Sequence, residues 1–491
     1  MNIFSRKLPR ALVVIVFAAL FLRLTLFALL LNTFGETGMF LSDSYRFTSI
    51  AENMIAGNGF SRYVPELDAI RPTAVFPPIY PLLLVLSQTA TGSYIPLIIL
   101  QLILGSLMPL LVYAIGRFLT KKQGVLLGAS ALTAFEPLMI VWNLVLLTET
   151  VSLFLLLLSV LFFLRFLGGS RASASLPPLD TEKIAYGAAA AFFLGVSSLV
   201  RPNAQYLIIL FAAYGIIVTM RFSIHRQWKK MYRIARAVGI VTALFIITLG
   251  PWMVRNYVTF GSYAISTTGP RNVYSNFQAS MLVLKENTTF DEANFRLMEN
   301  FAKRHGILVH DIYNDPRYSK TLLWEGIRFV LSDMKYAIPT FAIITTSFFT
   351  HDAYLDYSSR YGIIEPLTLL EFSPSASLVT NGIKDTVITI WNRVGPLFFV
   401  ALGARIFWAG ILLSAVTGSI ILIRSQNPMV RRSACVLVAV IIYYWLTTMA
   451  VGFGTMARMR YPANPFLFIL SGVGFAATIT YLRTKALFWK K

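Results

Sequence analysis

The sequence is poor in cysteine and histidine, and each shortage argues against one kind of structural or functional site. Its 491 residues include one cysteine, Cys435, and four histidines. A single thiol cannot form an intramolecular disulfide, so any part outside a membrane must be held together by packing. His305, His310 and His351 do not have the spacing of a known metal site. We therefore predict no metal centre and no cofactor, and leave a divalent metal ion as the open alternative.

Charged residues are also scarce, and the imbalance between the two signs indicates a membrane protein. Only 13% of residues are charged and 56% are hydrophobic, with a mean hydropathy of +0.66. The 43 Lys and Arg residues outnumber the 22 Asp and Glu residues, which gives a formal net charge of +21. Basic residues that flank apolar segments are typical of cytoplasmic loops, whereas nucleic-acid binding requires one basic face. We predict membrane lipid, and no nucleic acid, as a partner.

Ten segments are long and apolar enough to be predicted as membrane spans. They are 11–32, 94–118, 123–142, 148–167, 184–200, 203–220, 235–253, 400–423, 433–453 and 462–482. The first is too long for a signal-peptide core and lacks a small-residue cleavage site, so we expect it to stay uncleaved. With the N-terminus inside, every inner loop carries Lys or Arg. Both termini are therefore expected in the cytoplasm, and the protein in the plasma (inner) membrane.

This orientation leaves two large segments outside the membrane, 33–93 and about 254–399. The second contains two apolar stretches, 336–350 and 378–392, which are short for spans. We interpret both as interfacial helices on the outer leaflet, and the count becomes twelve if they cross as a pair. The predicted fold class is an all-α polytopic membrane protein with about 10 (10–13) transmembrane helices. Its predicted parts are an N-terminal membrane module, an outer-face segment and C-terminal helices, at 1–253, 254–399 and 400–491.

The first outer segment carries an acidic residue directly after the first span. Asp43 lies in the sequence Ser-Asp-Ser-Tyr, and apolar residues then recur at helical spacing from Phe47 to Ile55. Gly57 suits the position just past the end of such a helix. Asp43 is then either a plain helix N-cap, worth about 1 kcal/mol, or a catalytic base at the membrane surface.

Several motifs carry a resemblance to a known group of enzymes. The first outer segment contains AENMIAGNGF and RPTAVFPPIYPLLLVL. Further motifs follow in the order LLTET (146–150), SSLVRPNAQYL (197–207), GPWMVRNYVTFG (250–261) and RMRYPANPFL (458–467). Together they resemble the GT-C superfamily of membrane glycosyltransferases. The nearest kin by this resemblance are the bacterial relatives of protein O-mannosyltransferases and lipid A aminoarabinose transferases, which are family 39-like.

The resemblance implies both a reaction and its acidic residues. It implies a GT-C-like fold with an active site on the outer face. It also implies transfer of a hexosyl or pentosyl group, with inversion, from a polyprenyl-phosphate donor to a lipid, glycan or protein acceptor. Asp43 matches the family's base, and Glu149 matches its second acidic position, between spans three and four. Ser44 stands where a second acid would complete an acidic pair with Asp43.

A phosphate leaving group needs a cationic site, and arginine binds phosphate bidentately. Four arginines lie at outer span ends, against the positive-inside trend, and we rank them for donor-phosphate binding as Arg255, Arg460, Arg201 and Arg458. Each could instead anchor a helix end to lipid headgroups. Tyr45, Arg71 and Tyr80 are predicted to bind substrate, although the tyrosines could equally belong to an interfacial aromatic belt.

Two other functions use the same residues. A transporter or flippase for a polyprenyl-linked sugar would bind the donor with these arginines and perform no chemistry. A non-catalytic membrane subunit would use the outer segment for docking. Transporters usually place ionisable groups near the bilayer midplane and are often built from repeats. Here most acids and arginines lie near span ends and no internal repeat is evident, which favours chemistry at the surface.

Overall fold

The structure, a computed structural model, describes residues 8–168, 181–213, 220, 228–351, 353–354, 382–454 and 457–488. The first half contains α1 (Arg10–Phe34), α2 (Ser44–Ile55), α3 (Ile79–Thr91), α4 (Ile95–Gly116), α5 (Gln123–Phe135), α6 (Pro137–Val141), α7 (Glu149–Leu167), α8 (Thr181–Val200), α9 (Pro202–Ala213) and α10 (Trp228–Phe260). The second half contains α11 (Thr268–Asn272), α12 (Gln278–Glu286), α13 (Phe290–His305), α14 (Val309–Asn314), α15 (Ser319–Ser332), α16 (Met334–Thr350), α17 (Gly382–Val394), α18 (Leu397–Ile423), α19 (Pro428–Thr448), α20 (Ala457–Arg460) and α21 (Asn464–Phe488).

The long apolar helices confirm the all-α polytopic fold class. Within the described residues, eight helical segments are long and apolar enough to cross a membrane. They coincide with eight of the ten predicted spans. The other two predictions, 123–142 and 203–220, coincide with the shorter apolar helices α5 and α9. Residues 214–219 of the latter lie outside the described residues.

Two predicted interfacial stretches also form helices. The stretch 336–350 lies inside α16, which continues through Pro339 as one helix of 17 residues. The described part of 378–392 lies in α17, which begins at Gly382. Their position in or on the membrane stays a prediction, as do the three predicted domain boundaries.

The helix predicted after Asp43 is confirmed, but a small sheet follows it that the sequence did not predict. Helix α2 ends at Ile55, and Gly57 has a φ of 81°. Strands β1 (Ser61–Val64) and β2 (Ala69–Pro72) then form an antiparallel hairpin that packs against α2. Each strand has only four residues, which is too short for an alternating pattern to be recognised.

A buried irregular segment, residues 142–148, connects α6 to α7 and fixes the start of α7. Arg23 of α1 is fully buried and donates from Nε to Asn143 Oδ1 at 2.7 Å and from Nη1 to the Ala134 carbonyl at 2.8 Å. Gln101 of α4 donates to the Val145 carbonyl at 2.8 Å. Non-helical backbone inside a membrane protein must find such partners, because lipid offers none. The first residue of α7, Glu149, is therefore held in one place.

The last two helices are fixed by a second buried arginine. Arg460 is fully buried at the end of α20 and stacks on the Trp408 ring at 3.6 Å. Its Nη1 and Nη2 atoms donate to the carbonyls of Phe348 at 2.8 Å and His351 at 2.7 Å. These bonds tie the C-terminal end of α16 to the junction between α20 and α21.

Helices α18 and α21 approach so closely that only glycine fits at the crossing. A Cβ added to Gly418 would lie 2.0 Å from the Leu470 carbonyl oxygen, and one added to Gly474 would lie 1.9 Å from that of Ser414. Small residues permit such close helix packing in membranes.

We predict that G418A destabilises the protein, because its methyl group meets backbone that can yield only if the helices separate. The expected cost is about 1–3 kcal/mol. It is measured as a lower midpoint of thermal unfolding in detergent. G410A is the matched control, since a Cβ at Gly410 of the same helix meets nothing within 4 Å. Equal midpoints for the two variants would contradict the close crossing.

Candidate functional site

Arg458 joins the two acidic residues that the sequence singled out. Its Nη1 donates to Asp43 Oδ2 at 2.5 Å, and its Nε donates to Glu149 Oε1. The partners lie 415 and 309 residues away in the sequence. One guanidinium therefore connects the loop before α2, the start of α7 and helix α20.

Arg201 completes the group, which we call the acid–arginine cluster: Asp43, Glu149, Arg201 and Arg458. Arg201 Nη1 donates to the same Glu149 oxygen that Arg458 contacts. The side chain of Glu149 has no exposed surface, and two guanidiniums offset the cost of burying its charge. Exposure of the side chains rises from 12% for Arg201 and 18% for Arg458 to 33% for Asp43. The cluster therefore opens towards solvent at Asp43.

Asp43 is not a plain helix N-cap. Its backbone is already helical, with φ −71° and ψ −24°, and its side chain makes no capping hydrogen bond. Its second oxygen, Oδ1, instead lies 3.4 Å from Nη1 of Arg46. Burial raises the pKa of Asp43, but the Arg458 guanidinium, with a smaller contribution from Arg46, holds it below its ordinary value. Asp43 is therefore an ionised carboxylate at neutral pH.

The surroundings of the cluster explain its placement. Thr148 Oγ1 donates to Glu149 Oε2 at 3.3 Å, and the Trp142 ring lies 5.7 Å from the Arg458 guanidinium. Both residues belong to the buried segment 142–148. The cluster is thus positioned by the segment that Arg23 and Gln101 hold.

Arg255 lies elsewhere and fastens the first outer segment to α10. Its Nη1 donates to the Thr73 carbonyl and its Nη2 to the Phe60 carbonyl, both at 2.9 Å. Its guanidinium also lies 4.8 Å from the Trp252 ring centre. The donor-phosphate role ranked first for Arg255, and second for Arg460, stays a prediction. In this structure both guanidiniums are directed at backbone carbonyls instead.

The three predicted substrate-binding residues have different surroundings. Tyr45 is exposed and stacks on Phe40, with ring centres 5.1 Å apart. Arg71 is exposed on β2. Tyr80 is fully buried, and its hydroxyl donates to Gln101 Oε1 at 3.1 Å. Tyr45 and Arg71 can meet a ligand as they stand, whereas Tyr80 supports the buried polar network.

Residues 266, 267 and 314 form hydrogen bonds with the backbone of the loop that follows β2. The Ala74 amide donates to the Asn314 carbonyl at 3.1 Å, and the Thr267 amide donates to the Ala74 carbonyl at 3.2 Å. Ser266 Oγ donates to the Val75 carbonyl at 2.6 Å. These contacts bring α11 and α14 next to the loop, and with them Arg271. Arg46, Arg62 and Arg271 were not among the candidate residues predicted from the sequence. Their positive charge on the predicted outer side was the available signal.

The positive charge between the carboxylates of Asp43 and Glu149 is the guanidinium of Arg458. In the part of the chain that the structure describes, no group of three or more His, Cys, Asp or Glu side chains could hold a metal ion. Both acids of the cluster are instead neutralised by Arg458 and Arg201.

We predict that R458Q raises the pKa of Asp43, because the largest charge that stabilises its carboxylate is removed. Carbodiimide reacts with protonated carboxyl groups, so the pH midpoint of Asp43 modification, read by mass spectrometry, should rise. R46Q is the control and should give a smaller rise, because Arg46 is more exposed. An unchanged midpoint in R458Q would exclude the ion pair.

Comparison with known proteins identifies the fold but not a family. No family model matches the chain, and no curated protein matches it. Four chains of solved structures match. The oligosaccharyltransferase of Archaeoglobus fulgidus in the apo form has a TM-score of 0.50 at 12% identity, over 97% of this chain and 51% of that chain.

Two further oligosaccharyltransferase structures from the same archaeon have lower TM-scores. The form tethered with an acceptor peptide containing the NVT sequon has a TM-score of 0.49 at 15% identity, over 96% of this chain and 50% of that one. The AglB complex with an inhibitory peptide and a dolichol-phosphate scores 0.45 at 15% identity, over 96% and 51%. The chain spans about half the length of these oligosaccharyltransferases. The likeness to the apo form confirms the predicted GT-C-like fold.

Proposed function

We propose that the protein is a membrane glycosyltransferase that moves a sugar from a polyprenyl-phosphate donor to a hydroxyl group of an acceptor. The acid–arginine cluster carries this proposal, because it combines an ionised carboxylate near solvent with two guanidiniums that suit a phosphate. The fold shared with an oligosaccharyltransferase agrees with it. So do the motifs that resemble O-mannosyltransferase and aminoarabinose transferase relatives.

Asp43 has the position and charge of a general base. In the proposed step, the acceptor oxygen attacks the anomeric carbon while its proton passes to the Asp43 carboxylate. The bond from that carbon to the phosphate oxygen breaks, and its electron pair leaves with the prenyl phosphate. A single displacement of this kind inverts the configuration at the anomeric carbon. A carboxylate of low pKa is a weak base, so the proton transfers late, as the new bond forms.

Arg458 and Arg201 are proposed to hold the donor phosphate. Glu149 accepts a hydrogen bond from one nitrogen of each arginine and so orients both guanidiniums. The Nη2 atom of Arg458 has no hydrogen-bond partner among the described residues. A phosphate that drew Arg458 away from Asp43 would also raise the pKa of that carboxyl group. Donor binding would then make Asp43 a stronger base at the moment it is needed. Glu149 is in this scheme a positioning residue.

For Arg255 and Arg460 we propose a positioning role in place of the predicted donor-phosphate role, because their nitrogens already donate to backbone carbonyls. Tyr45 is the aromatic residue proposed to contact the sugar. We also propose that the cluster faces the outer side of the inner membrane and that both termini are cytoplasmic, as the Lys and Arg bias predicts.

We predict that D43N lowers sugar transfer by about 100-fold or more, because the proton acceptor is lost. The assay follows a labelled polyprenyl-phosphate sugar in proteoliposomes containing an acceptor extract. E52Q is the matched control, since Glu52 is exposed on the helix that Asp43 precedes, and it should retain activity. Full turnover by D43N would remove Asp43 from the mechanism. Label that crosses the bilayer still attached to the donor would indicate a transporter instead.

We predict that excess EDTA leaves transfer unchanged, because Arg458 supplies the positive charge between Asp43 and Glu149. The measurement compares initial rates with EDTA, with no addition and with Mg²⁺ or Mn²⁺. Activity that EDTA abolishes and Mn²⁺ restores would show that the two carboxylates, and not the guanidinium, hold the catalytic cation.

A further inference from the structure

A second group of arginines lies on the exposed side of Asp43. We call it the outer arginine group: Arg46, Arg62, Arg71 and Arg271. Arg62 and Arg71 are directly opposite each other across the β1–β2 hairpin. Like charges in this relation destabilise a sheet. The pair is therefore costly unless an anion lies between or beside the two side chains.

The other two arginines converge on the hairpin from separate helices. Arg46 lies on α2, which packs against β1, and it contacts Asp43 at 3.4 Å. Burial lowers the pKa of Arg62, and repulsion by Arg46 lowers it further. Arg271 of α11 lies over the Tyr313 ring at 4.7 Å and is near enough to interact with both Arg46 and Arg62. Two helices and one hairpin thus direct positive charge to one place.

Two acids near the outer arginines already have partners. Asp43 interacts with Arg46 and Arg271, and Glu66 and Asp311 interact with the neighbouring His310. Asp43 is already paired with Arg458, and Asp311 accepts a bond from the Leu308 amide at 3.2 Å. The Nε of Arg62 is buried and has no hydrogen-bond partner among the described residues. A buried donor without a partner costs free energy unless a ligand satisfies it.

We propose that the outer arginine group binds an anionic group of the acceptor, a phosphate or a carboxylate, and so holds the neighbouring acceptor hydroxyl at Asp43. The proposal rests on the proposed transfer reaction and names the class of its acceptor. Several guanidiniums around one site suit a phosphate, which accepts bidentate bonds from each.

The outer arginine group is placed to bind the acceptor rather than the donor. The side chain of Arg46 is 49% exposed, whereas that of Arg458 is 18% exposed, and Asp43 lies between them. A donor whose prenyl chain lies in the membrane reaches the cluster from the buried side. An acceptor that approaches from water meets the outer arginines first. Asp43 then contacts the hydroxyl from a position between the two phosphate-binding groups.

The test measures phosphate binding without turnover. Wild-type protein in phosphatidylcholine nanodiscs is titrated with inorganic phosphate at constant ionic strength, and binding is read from thermal stabilisation. We expect the double variant R62Q/R71Q to bind phosphate about tenfold or more weakly, through loss of two charge-assisted contacts. R328Q, which removes an exposed arginine of α15, should bind like the wild type. R62K/R71K should restore part of the binding, which separates lost charge from misfolding.

Several results would overturn the proposal. The first is that the wild-type protein does not bind inorganic phosphate, and the second is that R62Q/R71Q binds it as tightly as the wild type does. The third is that a phosphate of a membrane lipid takes the place of inorganic phosphate at these arginines. A polyprenyl phosphate whose own binding is weakened in R62Q/R71Q would assign the outer arginines to the donor. Phosphatidylglycerol that displaces inorganic phosphate would assign them to lipid headgroups. Absence of sugar transfer with intact phosphate binding would count against the proposed reaction alone.

Discussion

The salt bridges from Arg458 to Asp43 and Glu149 are the contacts on which the proposed site depends. Without them, the first loop, the start of α7 and helix α20 would share no charged contact at the site. Glu149 would be a buried anion with one cationic partner, and Asp43 would lose the main charge that lowers its pKa. The Arg458 guanidinium also suits a phosphate. A donor phosphate could therefore bind Arg458 in place of Asp43.

A second constraint is the absence of hydrogen-bond partners in lipid. The segment 142–148 is buried and not helical, so its backbone groups must find hydrogen-bond partners in other parts of the chain. Gln101 donates to the carbonyls of Asn143 and Val145, and Arg23 donates to the Asn143 side chain. Two buried arginines, Arg23 and Arg460, donate to backbone carbonyls, whereas the buried Glu149 pairs with Arg201 and Arg458.

The sequence predicted the helical fold and the two acids because both signals are local. Long apolar runs define spans, and an acid next to the membrane in a family-like motif stands out. The partners of Asp43 could not be read in the same way, since Arg458 lies 415 residues away. The ranking that placed Arg255 first used only its location at a span end, which does not separate an arginine that holds carbonyls from one that faces a ligand. The hairpin that pairs Arg62 with Arg71 was missed because its strands are too short to show a pattern.

The most direct test of this account is a cryo-electron microscopy map of the protein in a lipid nanodisc, at a resolution that shows side chains. We predict that the Arg458 guanidinium lies within hydrogen-bond distance of both Asp43 and Glu149. With a polyprenyl phosphate added, we predict that Arg458 and Arg201 contact the phosphate and that Asp43 no longer contacts Arg458. Asp43 directed into bulk solvent, with Arg458 paired elsewhere in both states, would contradict it.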